Sequence, residues 1–211
     1  MYYKYMQKKY ALEFLRTGSL RIGTLFDFKN TEKHNEAIGD ITEGLHTQFI
    51  EKYNTNSQEL TQEELDFLRP AIKFDNTKCQ LDSFRLIKDI QVPDAYVFCI
   101  SQEYSKKIMD SFECDVCIEI SNLKQFLSQI DRKLRHFVKP MSWAGPITYM
   151  ERHYPFHEEK NIYPATTKEP KYSYQKEFRV IWDPLIASSQ LKPLKPKIIK
   201  IPNATRFCRL I

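Results

Sequence analysis

The chain has 211 residues, 42% apolar and 13% aromatic, with 32 basic against 27 acidic side chains and a net charge of +5. A chain of this length and composition holds one core, so a single domain over residues 1–211 is expected and wholesale disorder is excluded. No stretch approaches the roughly 20 apolar residues of a membrane span, and Met1-Tyr2-Tyr3-Lys4-Tyr5-Met6 lacks the basic-then-apolar order of a secretory signal; a cytoplasmic, membrane-free protein is expected.

In chain order, Tyr2–Met6 reads as a strand and Lys8–Arg16 as a short helix with Ala11, Leu12 and Leu15 on one side. Gly18 stands where a helix end takes positive φ. Leu20–Gly23 is a brief strand, Thr24–Asn30 carries Leu25, Phe26 and Phe28, and 34–44 is polar and glycine-containing, as in a surface loop. Thr61-Gln-Glu-Glu64 is a capping box opening a helix that Pro70 ends. Tyr96–Ser101 (YVFCIS) and Cys114–Ile120 are strands, and Leu123, Phe126, Leu127, Ile130 and Leu134 mark an amphipathic helix over 121–136. In 140–173, five prolines alternate with aromatics, predicting a structured excursion with one short strand, Ile147–Met150. Tyr174–Trp182 (YQKEFRVIW) and Lys197–Ile201 complete the strands. Strands outnumber helices and their connections vary, which predicts an α+β fold.

The five cysteines form no regular framework and suit reduced thiols. Cys114-Asp-Val-Cys117 has half-site spacing without a second pair, so no metal is expected. Basic residues bunch in Arg132–His136 and among Lys192, Lys195, Lys197 and Lys200, where they serve either as solvated surface or as a track for phosphates. Asp27, Asn30, Glu32 and Arg21 read equally as turn formers or as a cleft edge.

The most informative segment is YQKEFRVIW. Strand alternation puts Phe178, Val180 and Trp182 on the face that packs, and Gln175, Glu177 and Arg179 in a polar row on the other. Such a row arises at an exposed surface as readily as in a site.

Three separated segments give this row its meaning: an early strand Tyr3-Lys4-Tyr5 followed by ALEFLRTGSLRIG, a central strand ending in Ser101, and a late strand bearing Gln175-Lys176-Glu177. Their order resembles that of the ADP-ribosyltransferases. FLRTGSLRIGTLFDF, YVFCIS and YQKEFRVIW are also similar to a bacterial family of uncharacterised domains. The likeness spans most of the chain through short motifs. It departs at the first strand, where Tyr-Lys-Tyr replaces an arginine or histidine, and at Cys99-Ile100-Ser101, which replaces a full hydroxyl triplet.

The resemblance implies split, mainly antiparallel sheets with flanking helices, and NAD as co-substrate. It makes Glu177 the carboxylate that stabilises positive charge on the ribose, Gln175 the residue that engages the acceptor, and Ser101 the hydroxyl that fixes the Glu177 rotamer. Tyr3, Lys4, Tyr5 and Arg179 would contact the dinucleotide, with Phe26, Phe28 or Tyr104 stacking on its rings. On this reading Glu177→Gln folds normally and loses turnover. The acceptor is a macromolecule, RNA, DNA or protein, with nucleic acid slightly favoured because bases stack on aromatic rings. By likeness to small bacterial members the chain is a toxin or phage-defence effector with an antitoxin-like protein partner. A non-catalytic nucleic-acid-binding module on the same scaffold and an NAD glycohydrolase are the alternatives.

Overall fold

The computed structural model describes residues 1–30, 37–73, 78–158, 160, 162–185 and 193–211. Glu32 and Lys192 therefore lie outside the described residues. The strands are β1 (Tyr2–Met6), β2 (Ser19–Thr24), β3 (Leu45–Asn56), β4 (Gln80–Gln91), β5 (Tyr96–Ser101), β6 (Val116–Ile120), β7 (Trp143–Pro146), β8 (Thr148–Tyr149), β9 (His153–Pro155), β10 (Thr167–Lys168), β11 (Glu177–Trp182), β12 (Lys197–Lys200) and β13 (Cys208–Leu210). The helices are α1 (Lys8–Thr17), α2 (Gln62–Leu68), α3 (Lys106–Ser111) and α4 (Leu123–Leu134). Among the described residues no helix is long and apolar enough to cross a membrane.

Local chemistry sets the boundaries. α1 stops at Gly18, whose φ of 74° is left-handed and whose N–H bonds Phe14 O. A Cβ there would lie 2.3 Å from the Pro202 nitrogen, so the position needs glycine on both counts. The Thr61–Glu64 capping box forms as predicted and opens α2. Asn122 caps α4 through its side chain and Gln125 N.

The central strand is β5. Along one edge it pairs with β11, from Glu177↔Ser101 to Trp182↔Tyr96, and β11 pairs in turn with β7. Its other edge is shared. β2 takes the beginning (Thr24↔Tyr96, Gly23↔Val97) and carries β12 outside it. β1 takes the end (Tyr3↔Ser101) and carries β6 and then β13. All these pairings are antiparallel, whereas β8–β10 and β3–β9 are parallel, so the chain is α+β with mixed sheets. Between β1 and β2 the edge of β5 opens, and the Lys4 ammonium donates to the Cys99 carbonyl there at 2.8 Å.

Alternation along β5 and β11 builds two unlike faces. Tyr96, Phe98, Ile100, Val180 and Trp182 pack with Ala11 and Phe14 of α1 and with Phe126, Leu127, Ile130 and Leu134 of α4. Each large side chain buried here contributes roughly 1.5–3 kcal/mol, so this face holds most of the apolar stabilisation. The Trp182 indole also donates to Asp131 of α4 at 2.6 Å. On the opposite face Leu25, Val97, Ala165 and Ile181 cluster at one end, and Tyr5, Ile108 and Cys117 at the other. Between them lie the polar side chains of Ser101, Glu177 and Arg179.

Four expectations change. The late strand begins at Glu177, because Pro170–Gln175 turns as a 3-10 helix and Lys176 takes φ 45°. The strand expected at Ile147–Met150 shrinks to Thr148–Tyr149, and the 140–173 excursion holds β7, β9 and β10 besides it. β3 and β4 form an eleven-pair ribbon that the sequence did not mark, since their apolar residues are spaced too sparsely for a periodic signal. Finally, the polar stretch expected as surface carries Asp40 and Glu43 into the interior, at 4% and 1% exposure.

Candidate functional site: a buried ion network under a sheet split

Tyr3, Ser101 and Glu177 stand directly opposite one another across β1, β5 and β11. Register partners point to the same side of a sheet, so three residues from distant parts of the chain share one level of the polar face. They line a cavity of about 90 Å³ together with Lys4, Tyr5, Phe28, Cys99, Lys168, Gln175 and Arg179. That chamber has room for a few water molecules. A groove of about 860 Å³ adjoins it, lined by residues such as Ala37, Glu169, Tyr172 and Tyr174, chain neighbours of the cavity residues. The Gln175 amide marks the boundary, donating to Ala37 O at 2.7 Å.

The Glu177 carboxylate is not bare. Oε1 accepts from Arg179 Nε at 2.8 Å, and Oε2 lies 2.7 Å from the Lys168 ammonium. Arg179 also forks onto Glu43, at 2.7 and 3.1 Å, and donates to Ala165 O. Arg152 pairs with Asp40 at 2.7 Å and lies 3.7 Å from Glu43. Three acids and three bases, all buried, thus balance in one network. Burial by itself pushes the Glu177 carboxyl up, but the Arg179 and Lys168 cations outweigh it and hold the group well below the usual carboxylate range. An acid so strongly held is ionised at every physiological pH. It can orient hydroxyls and stabilise positive charge, but it is a poor proton carrier.

The other residues singled out by sequence fall into different positions. Ser101 does not bond the Glu177 carboxylate. Its hydroxyl lies within donating distance of Gln175 O (2.8 Å) and Glu103 O (2.9 Å), so it fixes the backbone entering β11, while Arg179 and Lys168 fix the rotamer. Both ends of the Gln175 amide are engaged, Oε1 by Lys168 and Nε2 by Ala37 O, which fixes the orientation of the side chain. Four of the five Arg179 N–H donors go to two carboxylates and a carbonyl, so its first task is to hold the network together. Tyr5 lines the cavity, but its hydroxyl ties down the following loop through Glu103 O and Ser105 N. Phe28 lines the cavity; Phe26 packs beside the Leu25 cluster with the Lys29 ammonium 4.7 Å from its ring. Tyr104 is half exposed and tilts against Tyr3. Arg21 and Asp27 pair with each other. Glu177 pairs with two buried cations, so Glu177→Gln is expected to lower stability as well as turnover.

Lys4 differs from the other cations of the cavity. Among the described residues its ammonium is held by a neutral carbonyl, and burial lowers its pKa. It is the group best placed to receive an anion. Burial, with the Glu177 charge, pushes the Cys99 thiol up to about 12, so it is protonated and inert as a nucleophile. All five cysteines are free thiols, and among the described residues no group of three metal-ligating side chains forms.

Sequence reasoning missed Lys168, Glu43, Tyr149, Arg152 and His46. Tyr149 accepts the Glu177 N–H at 2.8 Å. Glu43 and Asp40 meet their guanidiniums across 136 and 112 residues of chain, and no local pattern encodes such a pairing. His46 is buried between Thr167 Oγ1 (2.8 Å) and Tyr154 OH (3.2 Å). Thr167 gives its proton to Pro164 O, which leaves Nε2 of His46 as donor and Nδ1 as acceptor. Burial, reinforced by the Arg152 and Lys160 charges, holds this imidazole down to about 4. The unfolded chain therefore binds the extra proton below about pH 6.5, and stability falls as pH drops from there toward 4. Urea melts at about pH 7 and about pH 5 should differ by about 2 kcal/mol more in the wild type than in His46→Gln. Equal differences would remove His46 from the account.

Compared with protein-family models, with curated proteins and with solved structures, the chain matches none.

Proposed function

We propose that the chain is an NAD-dependent ADP-ribosyltransferase that modifies a macromolecular acceptor in the cytoplasm, as a toxin or phage-defence effector of the kind its sequence resembles. The observation that carries this reading is the level Tyr3–Ser101–Glu177, with Lys4 beside it, at the mouth of a sheet split. The chamber is too small for a dinucleotide, but chamber and groove together fall in the size range of small-molecule sites, so the reacting end would enter the chamber and the remainder the groove. Breaking the nicotinamide–ribose bond builds positive charge on the sugar. Glu177, permanently ionised and held at both oxygens, keeps free lone pairs for ribose hydroxyls and meets that charge without reorganising. Lys4 would hold a phosphate, and Tyr3 would present its ring to the base or nicotinamide.

The test is incubation of the protein with labelled NAD and either nucleic acid or lysate. Label on the acceptor supports the transferase, nicotinamide release without labelled product supports a glycohydrolase, and untouched NAD removes both. Lys4→Met is expected to raise KM for NAD by about 10- to 150-fold with a smaller change in kcat, the size of one charge-assisted hydrogen bond. An unchanged KM would take Lys4 out of the site.

A further inference from the structure

The two basic segments noted in the sequence lie some sixty residues apart, yet the fold joins them. The Lys197 ammonium of β12 sits 4.1 Å from the ring centroid of Phe137, which follows α4. The stretch after α4 runs beside 183–185, through the Val138↔Pro184 bridge, Lys139 N to Asp183 O and Leu185 N to Phe137 O. Arg135, His136, Phe137, Lys139 and Lys195 are all exposed around this junction. Of the acids along these segments, Asp131 is taken by the Trp182 indole, and Asp183 remains. Cations at the end of α4 complement the helix dipole and need no further reason. Lys139, Lys195 and Lys197 belong to other segments, so the dipole does not account for them. Nor does it account for Phe137, which keeps 51% of its surface exposed in the middle of the cations.

We infer that this junction is a docking surface for single-stranded nucleic acid, with Arg135, Lys139, Lys195 and Lys197 following the phosphates and Phe137 stacking a base. A solvent-facing aromatic ring among cations is the combination that single strands use, because every base has a π-face. A duplex presents only its phosphates to such a patch and leaves the ring idle. Val138 and Ile199 next to the patch belong to the core under α1 and α4, so the surface lies on the helix side of the sheet, away from Glu177. It serves as a hold on the polyanion separate from the polar cavity.

The experiment is fluorescence anisotropy of a fluorescein-labelled oligothymidylate with the full chain and no NAD, so the outcome is independent of the proposed activity. Affinity should fall as salt rises. Lys195→Glu/Lys197→Glu should cost at least tenfold and reduce the log–log salt slope by about 1.4, at roughly 0.7 per phosphate contact. Phe137→Ala should weaken binding roughly 5- to 150-fold and leave the slope unchanged. Lys195 and Phe137 are exposed and Lys197 is half-buried over the Phe137 and Tyr96 rings, so circular dichroism checks that the variants fold. Absence of salt-dependent binding, binding indifferent to both variants, or preferential capture by phosphatidylserine vesicles over the oligonucleotide would each overturn the inference.

Discussion

Under the proposed transferase activity, Glu177→Gln is expected to reduce NAD turnover by roughly 10²- to 10³-fold, the scale seen when one preorganised electrostatic partner is removed from a transition state. It should also lower stability by about 3–5 kcal/mol, because Arg179 and Lys168 are left with a neutral amide in a buried site. The two effects have to be separated, since an unfolded variant is inactive for uninteresting reasons. Glu177→Gln combined with Lys168→Met removes one cation with the anion, so much of the stability should return while turnover stays lost. Nicotinamide release measured well below the melting temperature of each variant gives the comparison. Wild-type turnover in a folded Glu177→Gln protein would end the catalytic reading. Recovery of activity together with stability in the double variant would reduce Glu177 to a structural ion.

Arg179→Met should be the most damaging single change in the network. The guanidinium serves Glu177, both oxygens of Glu43 and the Ala165 carbonyl, so its loss leaves Glu177 with Lys168 alone and Glu43 with Arg152 at 3.7 Å. The expected cost is about 3–5 kcal/mol, or roughly 6–20 °C of Tm for a chain of this size. Arg179→Lys should recover little of it, because a single ammonium cannot reproduce the fork. The carboxylate contribution to the pH dependence should differ in sign from the wild type, while the His46 contribution is common to both. In the wild type the folded Glu177 carboxyl is held below its unfolded value of about 4.3, so its contribution is complete above that value and is lost as pH falls beneath it. In Arg179→Met a proton can replace the missing counter-charge, so mild acid should narrow the gap to wild type. Urea titrations at neutral and mildly acid pH decide this. A gap that widens on acidification would show that the carboxylates find other partners.

Where the signal was local, the sequence was legible. The composition of YVFCIS marked a strand, the alternation in EFRVIW placed its apolar face correctly, the capping box at Thr61 opened its helix, and Gly18 ended α1. Glu177 and Arg179 were rightly put on the face opposite Val180 and Trp182. The strand was carried too far at Gln175, because the left-handed turn at Lys176 leaves no mark in an apolar–polar pattern. Glu43 and Asp40 looked like surface because nothing local says that two arginines wait for them more than a hundred residues away.

By itself, then, the sequence determined that β1, β2, β5, β6, β11 and β12 become strands and α1, α2 and α4 helices, since those depend on spacing along the chain. Tertiary structure alone decided that Tyr3, Ser101 and Glu177 stand side by side, that Glu177 is clamped by Lys168 and Arg179, and that the two basic segments meet at Phe137. Charge pairing and strand register depend on distance in space, and the chain reaches those distances only when the apolar faces have closed against one another.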